Sequence, residues 1–207
     1  MTFERFLHQY NAQGREKLDG YSAADFDSLT PDEQARAESL LVEAAERWDT
    51  TAFQGLSLLG TEQAVETLAR IHVSLPFPNL AHLRASEALW NVTDDEKYQR
   101  EIAKDLDTDD IFLFRQAVVA LSYTRPTTYQ FETMQRIFLN SRGDNIARST
   151  ACGTLIQYYG FAPLINDQTP ERLNLQRKLM DADASTLQGV LNYVRARAVA
   201  QGLYKPA

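Results

Sequence analysis

Ala85-Ser86-Glu87-Ala88-Leu89 decides how this chain is read, because near-copies of it stand at regular distances on both sides. Ala52-Phe53-Gln54-Gly55-Leu56 precedes it, and Ala117-Val118-Val119-Ala120-Leu121 and Ala151-Cys152-Gly153-Thr154-Leu155 follow. From each first Ala to the next the steps are 33, 32 and 34 residues. Small residues three apart share one helical face and let a neighbouring helix approach closely. The leucine that follows points into the shared core. A period in this range marks a helical solenoid, in which each repeat is a pair of antiparallel helices, A and B.

The motif belongs to helix A. Turn signals end that helix a few residues later: Gly60, Asn91 to Asp94, Thr124-Arg125-Pro126 and Gly160. Helix B follows each turn, with apolar residues at helical spacing: Ala64, Leu68, Ile71 and Leu75; then Tyr98, Ile102 and Leu106; then Phe131, Met134, Ile137 and Phe138. The fourth helix B is displaced by an insertion, 161–169, and starts at Pro170. The pairs are expected at about 50–75, 81–106, 111–139 and 145–180.

The ends differ from the repeats. Thr30-Pro31-Asp32-Glu33 is a capping box with Pro at the first helical position. It opens a helix to about Trp48, with Ala37, Leu40, Leu41, Ala44, Ala45 and Trp48 on its buried side. Phe3, Phe6, Leu7 and Tyr10 mark a short amphipathic helix before it. Near the C-terminus, Ser185 is placed to cap a helix carrying Leu187, Val190, Leu191, Val194 and Ala198. Solenoids need atypical terminal units to cover the ends of the core. The expectation is one all-α domain over 1–207, a right-handed α-solenoid. It has an N-terminal helical cap (1–49), about four helix pairs (50–182) and a C-terminal capping helix (183–207).

The period near 33, the helix pairs and the Arg-Ala-x-x-Ala-Leu string of Arg84 to Leu89 resemble HEAT-like repeats, most closely the short variety related to phycobilisome-lyase repeats. The resemblance covers residues 50–182. The chain departs from that pattern in lacking the regular Pro of helix A and the Asp-Val pair of the turn. In acidity, size and terminal caps it is similar to bacterial immunity proteins or adaptors of the helical-repeat type. These resemblances imply a fold and a binding role rather than a chemistry.

The 207 residues suffice for a continuous core. No apolar run approaches the ~20 residues of a membrane span. No basic region followed by an apolar stretch opens the chain. The single cysteine, Cys152, excludes an internal disulfide framework and fits a reducing compartment, so a cytoplasmic protein is expected. The net charge of −7 is unevenly distributed: residues 1–110 carry 22 acidic and 10 basic side chains, and residues 111–207 carry 6 and 11. Basic residues recur at Arg70, Lys104 and Arg136 on helix B and at Arg84, Arg115 and Arg148 on helix A. They are expected to pair with acidic neighbours or helix ends.

Catalytic constellations are missing from the sequence. His8, His72 and His82 form no pair at i, i+4 and no His-Glu-x-x-His, and the repeated His-Glu pairs of di-iron hydroxylases on HEAT-like scaffolds do not occur. Each histidine is expected at the surface or its boundary, with no metal site and no cofactor. Cys152 lies on the close-packing face of its motif, where it acts as a small hydrophobe. No nucleophile elbow, phosphate loop or dinucleotide glycine pattern occurs. Asp105-x-Asp107-x-Asp109 has the alternate spacing of a calcium loop, but Asp110 stands where that loop needs Gly and Gln116 where it needs Glu.

The candidate binding surface is therefore acidic. Asp94, Asp95, Glu96, Glu101, Asp105, Asp107, Asp109 and Asp110 outnumber Lys97, Arg100 and Lys104 over the same stretch. Aromatics near turns, among them Trp90, Phe112, Phe114, Tyr123 and Tyr129, are assigned mostly to the core, with Tyr158 and Tyr159 the partly exposed ones and Tyr159 the candidate anchor. The expected function is a non-enzymatic protein-binding module, a monomer or weak oligomer, that engages a basic protein partner such as a toxin domain through this surface. The alternative is nucleic-acid binding, of the helical-repeat DNA glycosylase type, along Arg115, Arg125, Arg136, Arg142, Arg148, Arg172, Arg177, Lys178, Arg195 and Arg197. The pI near 5.0 weighs against it.

Overall fold

The computed structural model describes residues 2–141, 144–159, 170–182 and 184–205. Every regular element among them is helical. Two compact units divide the chain, Met1–Asp107 and Thr108–Ala207. The first holds α1 (Thr2–Asn11), α2 (Gly14–Leu18), a 3-10 turn (Ala23–Asp25), α3 (Pro31–Glu46), α4 (Thr50–Leu59), α5 (Glu62–Ser74), α6 (Leu80–Thr93) and α7 (Glu96–Lys104). The second holds α8 (Ile111–Ser122), α9 (Thr128–Asn140), α10 (Asn145–Tyr159), α11 (Pro170–Asp181) and α12 (Ala184–Ala200). The helices α4/α5, α6/α7, α8/α9 and α10/α11 span the ranges in which the spacing predicts helix pairs.

Local chemistry starts and stops these helices where the sequence indicates. Thr30 forms the capping box with Glu33, and Asp49, Thr61, Asn79, Asp95, Asp110 and Thr127 each accept a hydrogen bond from a first-turn amide of the helix that follows. Gly60 closes α4 in the left-handed conformation, φ 62°. Asp94 does the same for α6 without being glycine, at φ 51°. Trp48 differs from expectation. The helix ends at Glu46, and Trp48 sits in the following turn at φ 63°, half exposed rather than in the core.

In the first unit α4 packs on α3, α5 and α6, and α6 packs on α5 and α7. In the second, α10 packs on α8, α9, α11 and α12. The motif supplies the contact faces. Ala52, Gly55 and Leu56, Ala85, Ala88 and Leu89, Ala117, Ala120 and Leu121, and Ala151, Thr154 and Leu155 are all buried. The terminal elements bury apolar side chains as well. Phe6 of α1 is fully buried and lies 5.7 Å from Tyr21 and 5.9 Å from Phe26. Leu187, Leu191, Val194 and Ala198 of α12 are buried, and Tyr204 packs 4.9 Å from Phe131. Ser185 falls within α12 rather than before it.

Two glycines of the same motif position their helices differently. A Cβ on Gly55 would lie 2.8 Å from Leu41 Cδ2 and 3.1 Å from Tyr21 Cδ2, whereas one on Gly153 would meet nothing within 4 Å. Gly153→Ala should therefore stabilise by about 0.5–1 kcal/mol through helix propensity. Gly55→Ala should cancel that gain by overpacking and destabilise by about 1 kcal/mol. Urea midpoints decide the matter; equal upward shifts for both variants would show that Gly55 is not a close-packing position.

Candidate functional site

The acidic stretch resolves into residues with different tasks. Asp95 caps α7, accepting from the Lys97 amide at 2.9 Å, and that bond together with the Lys97 ammonium holds its carboxyl below the usual range. Glu96 pairs with Arg100 at 3.3 Å. Asp110 caps α8, accepting from the amides of Phe112 at 2.8 Å and Leu113 at 3.2 Å. Asp94 terminates α6, and Asp107 and Asp109 are exposed.

Asp105 leaves the candidate surface altogether. Its exposure is 0%. It follows the last turn of α7 and enters the interior beside the start of α6, where two donors need an acceptor. Oδ1 accepts from the Asn79 amide at 3.2 Å, and Oδ2 accepts from His82 Nδ1 at 2.7 Å. A buried carboxylate persists when such partners are supplied. Tyr159 ends α10, but its side chain lies outside the described residues, as does the insertion at 161–169.

His72 and His82 are buried, at 9% and 5% exposure, where their isolation in the sequence suggests the surface or its boundary. His8 alone is exposed as expected. His72 comes from α5 and His82 from α6, and their rings lie 4.6 Å apart. Tyr98 meets His72 edge-on at 5.9 Å, and Phe77 meets His82 edge-on at 5.4 Å. Glu101 of α7 completes the group. Its Oε2 is 3.8 Å from His82 Nε2, and both its oxygens accept from Lys104 Nζ, at 2.8 and 2.7 Å. Burial lowers the His72 pKa, the neighbouring His82 adds to this, and Glu101 opposes it. Among the described residues, His72, His82 and Glu101 are the group of three whose donor atoms could gather about a single ion.

Three helices assemble this cluster, so a search for ligands spaced along one helix passes over it. The sequence pattern does not single out Ile111 and Phe112 either. They stand 52% and 57% exposed at the start of α8, beside Asp109 and Asp110. The face of α8 that buries Leu113, Ala117, Val118, Ala120 and Leu121 leaves both outside the core. Tyr123 is exposed as well, while Trp90 is buried.

The recurrent basic residues mostly meet partners at hand. Arg70 pairs with Glu46, Arg84 with Glu87 and Lys104 with Glu101. Arg115 Nε donates to Asp144 at 2.9 Å, and Asp144 also accepts from the amides of Ile146 and Ala147 at the start of α10. Burial opposes ionisation of Asp144, but these donors outweigh it and hold the carboxyl below its usual range. Arg148 lies 4.9 Å over the Phe138 ring, and Arg195 donates to Gln135 at 2.9 Å. Cys152 is fully buried, and burial pushes its thiol up to about 12, which removes it as a nucleophile. No helix among the described residues is long and apolar enough to cross a membrane. Comparison with family models, curated proteins and solved structures returned no match.

Proposed function

We propose that this chain is a non-enzymatic helical-repeat module that binds a basic protein, and that the pairs within each unit stack as in a right-handed α-solenoid. The observation that carries the binding reading is the start of α8. There two exposed apolar side chains, Ile111 and Phe112, sit directly beside two exposed carboxylates, Asp109 and Asp110. An exposed aromatic on a rigid helix supplies an anchor, and a charged rim supplies steering. The stretch 106–114 carries Asp107, Asp109 and Asp110 and no basic residue, and this local charge supports a cationic partner. Neutralisation of a basic toxin domain by occlusion fits this combination. Nucleic-acid binding has less support, because Arg115, Arg148 and Arg195 are committed to Asp144, Phe138 and Gln135.

The test uses two exposed acidic residues of the stretch that neither cap a helix nor point inward, Asp107 and Asp109. Asp107→Asn combined with Asp109→Asn should slow association with the partner and flatten its salt dependence, while the helical spectrum and the dissociation rate stay unchanged. Equal association rates for parent and variant at low salt would make these carboxylates a solvated face with no part in binding.

A further inference from the structure

We propose that His72, His82 and Glu101 bind one divalent transition-metal ion, Zn2+ by ligand type. One ring nitrogen of each histidine and one carboxylate oxygen of Glu101 all lie within 4.8 Å of one another. Tetrahedral zinc, with bonds of about 2.0–2.2 Å, sets its ligand atoms about 3.3 Å apart. The 3.8 Å between His82 Nε2 and Glu101 Oε2 is already close to that. Glu101 is the long and partly exposed member, so it can close the remaining gap by rotamer adjustment.

The hydrogen bonds around the histidines are those that prepare imidazoles for a metal. Asp105 takes the Nδ1–H of His82 at 2.7 Å, which leaves Nε2, on the side of Glu101, as the nitrogen to meet a metal. This is the carboxylate–histidine arrangement that orients zinc ligands and raises their basicity. Ser86 acts on His72. Its hydroxyl donates to the His82 carbonyl at 3.0 Å, so its oxygen accepts from His72 Nε2 at 3.0 Å and fixes that ring's tautomer and orientation as well. Both supporting residues are fully buried. Two imidazoles and one carboxylate suit Zn2+ over Ca2+ or Mg2+, which prefer all-oxygen shells. Three protein ligands leave a fourth position for water. Lys104 holds both oxygens of Glu101, but each oxygen keeps a further lone pair and Lys104 is exposed, so it can turn away. The inference is independent of the partner-binding reading.

The test is titration of the metal-stripped full chain with Zn2+ and, separately, Co2+. One Zn2+ should bind per chain, and Co2+ should give the intense visible absorption of a four-coordinate site, which hydrated ions on surface carboxylates lack. Glu101→Gln should weaken Zn2+ binding at least tenfold, and Asp105→Asn, acting through His82, about 10–100-fold. His8→Gln should leave binding unchanged, which excludes the exposed His8–Glu16 pair (3.5 Å) as the source. Lys104→Met should bind at least as tightly as the parent. The wild-type chain decides by itself if a variant fails to fold: no stoichiometric Zn2+ uptake, or no four-coordinate Co2+ spectrum, overturns the proposal. So does a folded Glu101→Gln variant that keeps parental affinity.

Discussion

Replacing Leu121 by Ala should destabilise the second unit by about 2–5 kcal/mol, and Leu56, Leu89 and Leu155 should respond alike in their own units. Each of these leucines is fully buried and stands four positions after the first Ala of its motif. Removing its side chain takes away transfer free energy and leaves a cavity between close-packed helices that cannot collapse fully. Leu58 is the internal control: it lies on the same helix as Leu56 but is 40% exposed, so Leu58→Ala should cost under about 1 kcal/mol. The measurement is the urea midpoint at unchanged slope. Leu56 and Leu89 report on the first unit, Leu121 and Leu155 on the second. A motif leucine that behaves like Leu58 would remove its segment from the repeat.

Phe112→Ala should speed dissociation of the protein partner and cost about 2 kcal/mol or more of affinity, roughly thirtyfold, without lowering the stability of the free chain by more than about 0.5 kcal/mol. The separation follows from where Phe112 lies. Phe112 is 57% exposed, so it contributes little to the core, whereas a partner that covers it gains the burial of the exposed part of an aromatic side chain. The opposite change, large loss of stability with unaltered dissociation, would return Phe112 to the core and leave Asp109 and Asp110 without an anchor.

The helices were legible because their signals are local. Ala-x-x-small-Leu sets a buried face within five residues, and Thr30, Thr61, Asp95 and Asp110 set starts within one turn. Side-chain destinations were less legible. Asp105 is one of eight acidic residues between 94 and 110, and nothing in its neighbours distinguishes it. Its burial depends on donors from Asn79 and His82, 26 and 23 residues earlier. His72 and His82 are ten residues apart, a spacing that suggests no shared site until a turn folds α6 back on α5. Phe112 misled for a related reason. Aromatics in helical repeats usually fill the space between layers, but Phe112 precedes Leu113 by one residue and so lies about 100° round the helix from it, off the buried face. Trp48 continues the apolar pattern of α3, but its positive φ places it in the turn beyond the end of that helix.

Parallel capture from native cell extract on immobilised wild-type chain and on the Phe112→Ala variant, at physiological salt and with nucleic acid digested, tests most directly whether the start of α8 binds a basic protein. The expected result is a basic protein retained by the wild type and lost from the variant, which then binds the purified wild-type chain at one-to-one stoichiometry. Retention of the same proteins by both baits, or loss of all retention when nucleic acid is digested together with direct binding of duplex DNA that falls steeply with salt, would contradict it.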